Sequence, residues 1–221
     1  MSIATLILGQ SGTGKSTSLR NLNPADVLLI QSIRKPLPFR SKEWKELSKD
    51  GGSIFVSDNS EQIIKVMNRS TRPIIIIDDM QYIMANEYMR RSQETGFAKF
   101  TEIGRKTWDI FNAASQLSSD KRVYLLSHSD ESESGKTKIK TIGKMLDEKI
   151  TLEGMVTICF ETLVVNDQYK FMTKNNGRNT VKTPIDMFDS EHIDNDLNAI
   201  DKVICEYFQI NQQEVTQWAI H

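Results

Sequence analysis

The densest chemistry in the chain lies near its start, where Gly9, Gln10, Ser11, Gly12, Thr13, Gly14, Lys15, Ser16 and Thr17 match G-x-x-x-x-G-K-[ST] in full. A triphosphate packs several negative charges into a small volume, and side chains cannot wrap it without crowding. Glycines at 9, 12 and 14 let backbone N–H groups turn inward and donate to phosphate oxygens, and a helix beginning after the loop adds the positive end of its dipole. Lys15 is placed to reach the outer phosphates, and the Ser16 hydroxyl to hold a magnesium ion that otherwise keeps most of its waters. A glycine-rich turn could match by chance. Here, however, an apolar run (Ile3 to Leu8) precedes it and Ser18 to Leu22 can continue as helix.

Magnesium on a phosphate also needs a carboxylate from the end of a buried strand. Ile74-Ile75-Ile76-Ile77-Asp78-Asp79 supplies one, a Walker B pattern in which Asp78 is the expected metal partner. Asp79 could polarise an attacking water, or simply cap the helix that follows. Glu87, on that helix, is the reserve candidate for the base. A later apolar strand ends Ser127-His128, and in a parallel sheet its carboxyl end lies beside the phosphates. Ser127 or His128 could therefore sense the terminal phosphate, or serve only as core or cap. Asp58 and Glu61 read as solvated residues at a loop and a helix start.

The elements that must position these groups alternate apolar runs with amphipathic stretches, the pattern of an α/β fold with a mostly parallel sheet flanked by helices. Strands are predicted at Ile3 to Leu8, Val27 to Gln31, Ser53 to Ser57, Pro73 to Asp78 and Val123 to Ser127. The isoleucine run is apolar on both faces and should be central. Glu61 to Arg69 reads as a helix capped by Ser60, and a longer helix should follow the fourth strand. After that helix, Phe97, Phe100, Ile103, Ile110, Phe111, Ala114 and Leu117 form a core-facing stripe at helical spacing. Ser129 to Gly135 is polar and reads as an exposed, mobile loop. Met155 to Val165 and Tyr169 to Thr173, joined by Asn166-Asp167, read as a late β-hairpin. Asn175 to Pro184 reads as loop. Leu197, Ile200, Val203, Ile204 and Phe208 mark a last helix, and the tail from Asn211 should be peripheral.

Composition sets outer bounds. The chain has 221 residues, 38% hydrophobic, enough for a real core, which excludes wholesale disorder. Twenty-eight basic against 29 acidic residues exclude a histone-like coat on nucleic acid, though not a local basic loop. Cys159 and Cys205 are too few and too far apart for a disulfide framework or zinc cluster and read as reduced core thiols. No apolar stretch approaches the ~20 residues of a membrane span, and no signal peptide is visible, so the expected location is cytoplasmic. A GTPase would carry Asn-Lys-x-Asp where this chain has Ser127-His128-Ser129-Asp130. A nucleotide or small-metabolite kinase remains open, although its usual arginine-rich lid has only Arg90-Arg91 as a counterpart. A slow ATP-binding assembly switch remains open too.

Five blocks carry a resemblance: Gly9 to Leu22, Lys35-Pro36-Leu37-Pro38-Phe39, Ile77 to Arg91, Gly143 to Lys149 and Lys182 to Phe188. With them the chain resembles the phage nucleotide-binding proteins, small RecA-like P-loop ATPases of phage recombination modules, single-strand-annealing type. The Walker motifs are generic; the last two blocks are more specific. The resemblance covers about residues 3 to 190 and implies a RecA-like P-loop ATPase domain over 1–190, followed by a C-terminal helix and tail over 191–221. It implies ATP and Mg²⁺ as ligands. It also implies single-stranded DNA as a partner, a single-strand-binding protein as a second one, and assembly into a homo-oligomeric ring or filament. DNA-contacting loops are then expected after the late strands, where Lys136, Lys138, Lys140, Lys144, Lys174, Arg178 and Lys182 lie. The alternating lysines read equally as a solvated edge strand. Tyr169 and Phe171 could stack bases, though core packing fits a hairpin better. Lys144 could instead reach a neighbouring subunit's terminal phosphate as a trans finger.

Overall fold

The computed structural model describes residues 1–132 and 134–210. The tail expected to be peripheral, from Asn211, lies outside the described residues. The apolar runs become β1 (Ile3–Gly9), β2 (Val27–Gln31), β3 (Ile54–Val56), β4 (Ile74–Asp78) and β5 (Arg122–Glu131). After them come β6 (Thr137–Ile139), β7 (Ile158–Val165), β8 (Gln168–Met172) and β9 (His192–Asp194). The strand order is β3-β2-β4-β5-β1-β7-β8-β9, with β6 on β5. Neighbours from β3 to β7 run parallel; β8, β9 and β6 are antiparallel additions. This is an α/β fold with a mostly parallel mixed sheet.

Period-two alternation divides the central strands between two cores. Ile75 and Ile77 pack with Leu6, Leu8, Val123 and Leu125 on one face. That face is covered by α1 (Ser60–Arg69), α2 (Gln81–Arg90) and α3 (Ala98–Gln116). Ile74 and Ile76 join Ile7, Tyr124 and Leu126 on the other face, under Leu19 and under α4 (Leu197–Tyr207). The isoleucine strand is thus buried on both sides. The sheet and its second core cross the boundary expected near residue 190. β9 pairs with β8, and Leu197, Ile200 and Ile204 of α4 are buried. Inside that core Asp201 accepts from Arg122 Nε at 3.0 Å and Nη2 at 2.9 Å, and from the Tyr124 hydroxyl at 2.5 Å.

Several local expectations are corrected. Asn59, not Ser60, caps α1, its side chain accepting from the Gln62 N–H at 3.0 Å. Two helical stretches do follow β4, but the first of them, α2, is no longer than α1 at 10 residues. Phe97 lies before α3 and is 85% exposed, while Ile103, Ile110, Phe111 and Ala114 are buried. The polar segment from Ser129 is not a free loop: β5 runs on to Glu131, and Ser129, Asp130 and Glu131 pair with Ile139, Lys138 and Thr137. A partner strand satisfies that backbone, so polarity misled the reading. Asn166 and Asp167 both have positive φ, 49° and 61°, as a two-residue hairpin turn requires. Cys159 and Cys205 are buried and free, and burial pushes the Cys159 thiol up to about 12.

Candidate phosphate-binding site

The parallel register brings three strand ends together. Gly9 ends β1 opposite His128 on β5, and Asp78 ends β4 opposite Gln31 on β2. β5 lies between β1 and β4, so the loop after β1 and the acids after β4 flank His128.

The loop is held by close approach. A Cβ on Gly9 would lie 1.9 Å from Thr162 Oγ1 of β7, and that hydroxyl also lies 2.6 Å from Thr13 Oγ1. Gly14 has φ +99°, and a Cβ there would meet the Tyr169 ring at 2.9 Å. Both positions therefore need glycine. The expected helix is a single 3-10 segment, Ser16–Asn21, which starts before Ser18 and stops one residue short of the expected end, with Leu22 already extended. Arg20 at its end ties to the Asn195 carbonyl, anchoring the loop to the segment before α4.

Lys15 is buried, and its Nζ donates to the Gly9 carbonyl at 2.8 Å and the Gln10 carbonyl at 2.9 Å. Burial pushes its ammonium down to about 8, against the pull of Asp79 and Asp78. The Ser16 hydroxyl donates to Asp78, 3.0 Å from each carboxylate oxygen. Asp78 is 1% exposed, and burial together with the Asp79 charge pushes it up to about 6. A hydroxyl and a buried carboxylate in contact are hard oxygen donors of the kind Mg²⁺ takes alongside phosphate and water. Among the described residues no cluster of three His, Cys, Asp or Glu could hold a metal alone. A magnesium ion supported by one carboxylate plus phosphates needs no such cluster, so the residues present fit it.

Asp79 is not a helix cap. α2 begins at Gln81, with Met80 at its cap position and no side-chain capping bond. Asp79 takes φ +58° and turns its carboxylate to two side chains: Lys35 contacts Oδ2, and His128 Nε2 lies 3.5 Å from Oδ1. Burial alone would raise this carboxyl, but hydrogen bonds from His128 and Lys35 outweigh it and hold it below the usual range. A cavity of about 280 Å³ is lined by Ser11, Gly12, Gly14, Lys15, Ser16 and Thr17 of the loop, facing Lys35, Asp79, His128 and Tyr169.

Not every candidate converges there. Glu87 lines a separate small cavity between α1, α2 and α3 and pairs with Lys106 at 3.0 Å and Arg90 at 3.2 Å. The Lys106 hydrogen bond holds its carboxyl low. Ser127 is fully buried within β5, its hydroxyl unpartnered. Lys144 stands before a π-helical turn (Met145–Lys149), its side chain 89% exposed. Asp58 is not merely solvated, since it accepts from Asn86 at 2.7 Å and Arg90 at 2.8 Å.

Sequence reasoning missed Lys35 and Thr162 as site residues and saw Tyr169 only as a DNA or core aromatic. Lys35 lies just beyond the carboxyl end of β2 and opens the second resemblance block, and those two features were its available signals. Phe171 is fully buried and Tyr169 43% exposed at the rim, so only one of the two aromatics packs in the core. No protein-family model matches the chain, and no curated protein matches it.

Proposed function

We propose that this chain binds ATP with Mg²⁺ in the loop after β1 and hydrolyses it, acting as a RecA-like protein on single-stranded DNA. The observation that carries the nucleotide reading is the Ser16–Asp78 contact beneath the loop, which joins the two motifs into one oxygen-donor pair. Bound there, Mg²⁺ would neutralise charge on the outer phosphates. The loop N–H groups and Lys15 hold the phosphates, Lys15 leaving its carbonyl partners to do so. The Asp79 carboxylate accepts a proton from water as the water oxygen bonds to the terminal phosphorus. The bond to the bridging oxygen breaks, and ADP and inorganic phosphate leave. His128 keeps Asp79 oriented. The central position of β5, between the loop strand and the acid strand, supports the RecA-like reading of the sheet.

For DNA, the β5–β6 hairpin supports a basic surface linked to the site. Its Thr137 N–H donates to the Arg178 carbonyl at 2.8 Å, bringing the two basic segments side by side. The Lys140 N–H donates to the His128 carbonyl at 2.9 Å, one residue from the cavity wall. Lys136, Lys140, Lys174 and Arg178 are exposed, whereas Lys138 is engaged by Asp147. The exposed Lys144 suits a finger reaching a second subunit in a ring or filament. Arg90 and Arg91 are committed to Asp58, Glu87, Glu94 and Glu102, which disfavours the kinase reading because a lid needs free arginines. One observation favours a slow switch: Asp79 is already engaged by Lys35.

The test is nucleotide titration of the wild type and Lys15→Ala, followed by phosphate release with and without oligo-dT. Binding lost in the variant and DNA-stimulated release support the reading. Unchanged affinity in Lys15→Ala removes the nucleotide site. Turnover indifferent to DNA at low salt removes the DNA role.

A further inference from the structure

We propose that Lys35 is a terminal-phosphate ligand that leaves Asp79 when a triphosphate enters, so that one cation both reads the third phosphate and frees the carboxylate for water. This rests on the nucleotide reading above and goes beyond it, because neither loop motif contains Lys35.

The argument begins with charge. Lys15, Lys35 and Asp79 line the cavity, Asp78 is buried against Ser16 of its wall, and each carboxylate already has partners. A triphosphate brings a surplus of negative charge that these partners must absorb. Lys35 is the more movable cation. Lys15 is buried on its own loop, whereas the Lys35 side chain is 39% exposed and lines the cavity while contacting a carboxylate that is 6% exposed.

Its backbone is fixed while its stem is free. Gln31 donates to the Lys35 carbonyl at 3.1 Å, and Pro36 restricts the chain that follows. Four methylenes and three ammonium protons allow the head to swing between acceptors a few ångströms apart. A phosphate oxygen is the stronger attractor of the two, as the more highly charged acceptor. The third phosphate is the one in reach. Hydrolysis by Asp79 requires the terminal phosphorus within one water of that carboxylate, and Lys35 touches the same carboxylate.

Asp79 does not collapse when Lys35 leaves. Lys35 holds Oδ2, while His128 holds the other oxygen, Oδ1. Losing the first partner exposes one oxygen to water and leaves the second as a hinge. A diphosphate does not reach this wall, so Lys35 stays on Asp79 and the base stays blocked.

The experiment titrates MgADP and the magnesium salt of a non-hydrolysable ATP analogue into wild type, Lys35→Met, Asp79→Asn and the double variant, with Lys15→Ala as control. Methionine keeps the apolar stem, and melting curves verify folding. The analogue's affinity should fall about tenfold in Lys35→Met, as for loss of a charge-assisted hydrogen bond, while ADP stays within about twofold. Asp79→Asn should bind the analogue more tightly, and only when Lys35 is present. Equal weakening of both nucleotides in Lys35→Met, or an Asp79→Asn gain that persists without Lys35, would make Lys35 a fixed counter-ion and overturn the proposal. If the wild type binds neither nucleotide, or Lys15→Ala binds both normally, the nucleotide reading itself fails and the proposal falls with it.

Discussion

Two adjacent carboxylates with opposite shifts divide the site's work. Asp78 is buried and pushed up to about 6, so it waits for a cation; Asp79 is held low by the hydrogen bonds of His128 and Lys35. For Asp78 the folded value exceeds its ordinary 3.8, so the fold binds that proton more tightly than the unfolded chain does. Metal-free stability should therefore decline as pH rises from about 4 to about 6, by on the order of 2 kcal/mol. Asp79 acts in the opposite sense and at lower pH: its contribution is present above its ordinary value and lost below it. Urea melts in a chelating buffer should show this decline in the wild type, and Asp78→Asn should flatten it. A flat wild-type profile would contradict the burial argument. Asp79→Asn should retain nucleotide but lose about 10²–10⁴ in turnover, the usual weight of a general base. Near-normal turnover in a phosphate-release assay would give the role to another group.

At the scale of elements, the loop depends on β7 as much as on its own glycines. Gly9→Ala should force β1 and β7 apart at Thr162 and weaken nucleotide binding, and the companion change Thr162→Ala should restore part of it. Binding by Gly9→Ala equal to wild type would show that the strand ends are looser than the 1.9 Å approach implies. Much of this level was legible in the sequence. β2 coincides with its predicted range, and the four isoleucines lie in a central strand because an apolar run has nowhere else to be satisfied. Asp78 ends that strand and Asp79 follows it, and local pattern was enough to place both there. Local pattern did not reveal the partners. Lys35 meets Asp79 across 44 residues, and Thr162 meets Thr13 across 149. Such contacts arise from sheet order, which periodicity along one segment does not encode. The polar residues 129–131 misled for a related reason: their partner strand lies beyond a turn.

Across the whole molecule, the Arg122–Asp201–Tyr124 network fixes α4 against the strand that carries His128. Removing Asp201 strands a buried guanidinium, so Asp201→Ala should cost about 3–5 kcal/mol in denaturant melts. A loss below about 1 kcal/mol would mean that α4 contributes little to the fold. No helix among the described residues is long and apolar enough to cross a membrane. The loop, its serine and the acid that ends β4 stand or fall together, and calorimetric titration of ATP with and without magnesium tests them most directly. Wild type should bind ATP more tightly with the metal present, while Asp78→Asn should retain metal-free binding and lose that increment. Absence of any ATP binding by the wild type, or an undiminished magnesium increment in Asp78→Asn, would contradict the account.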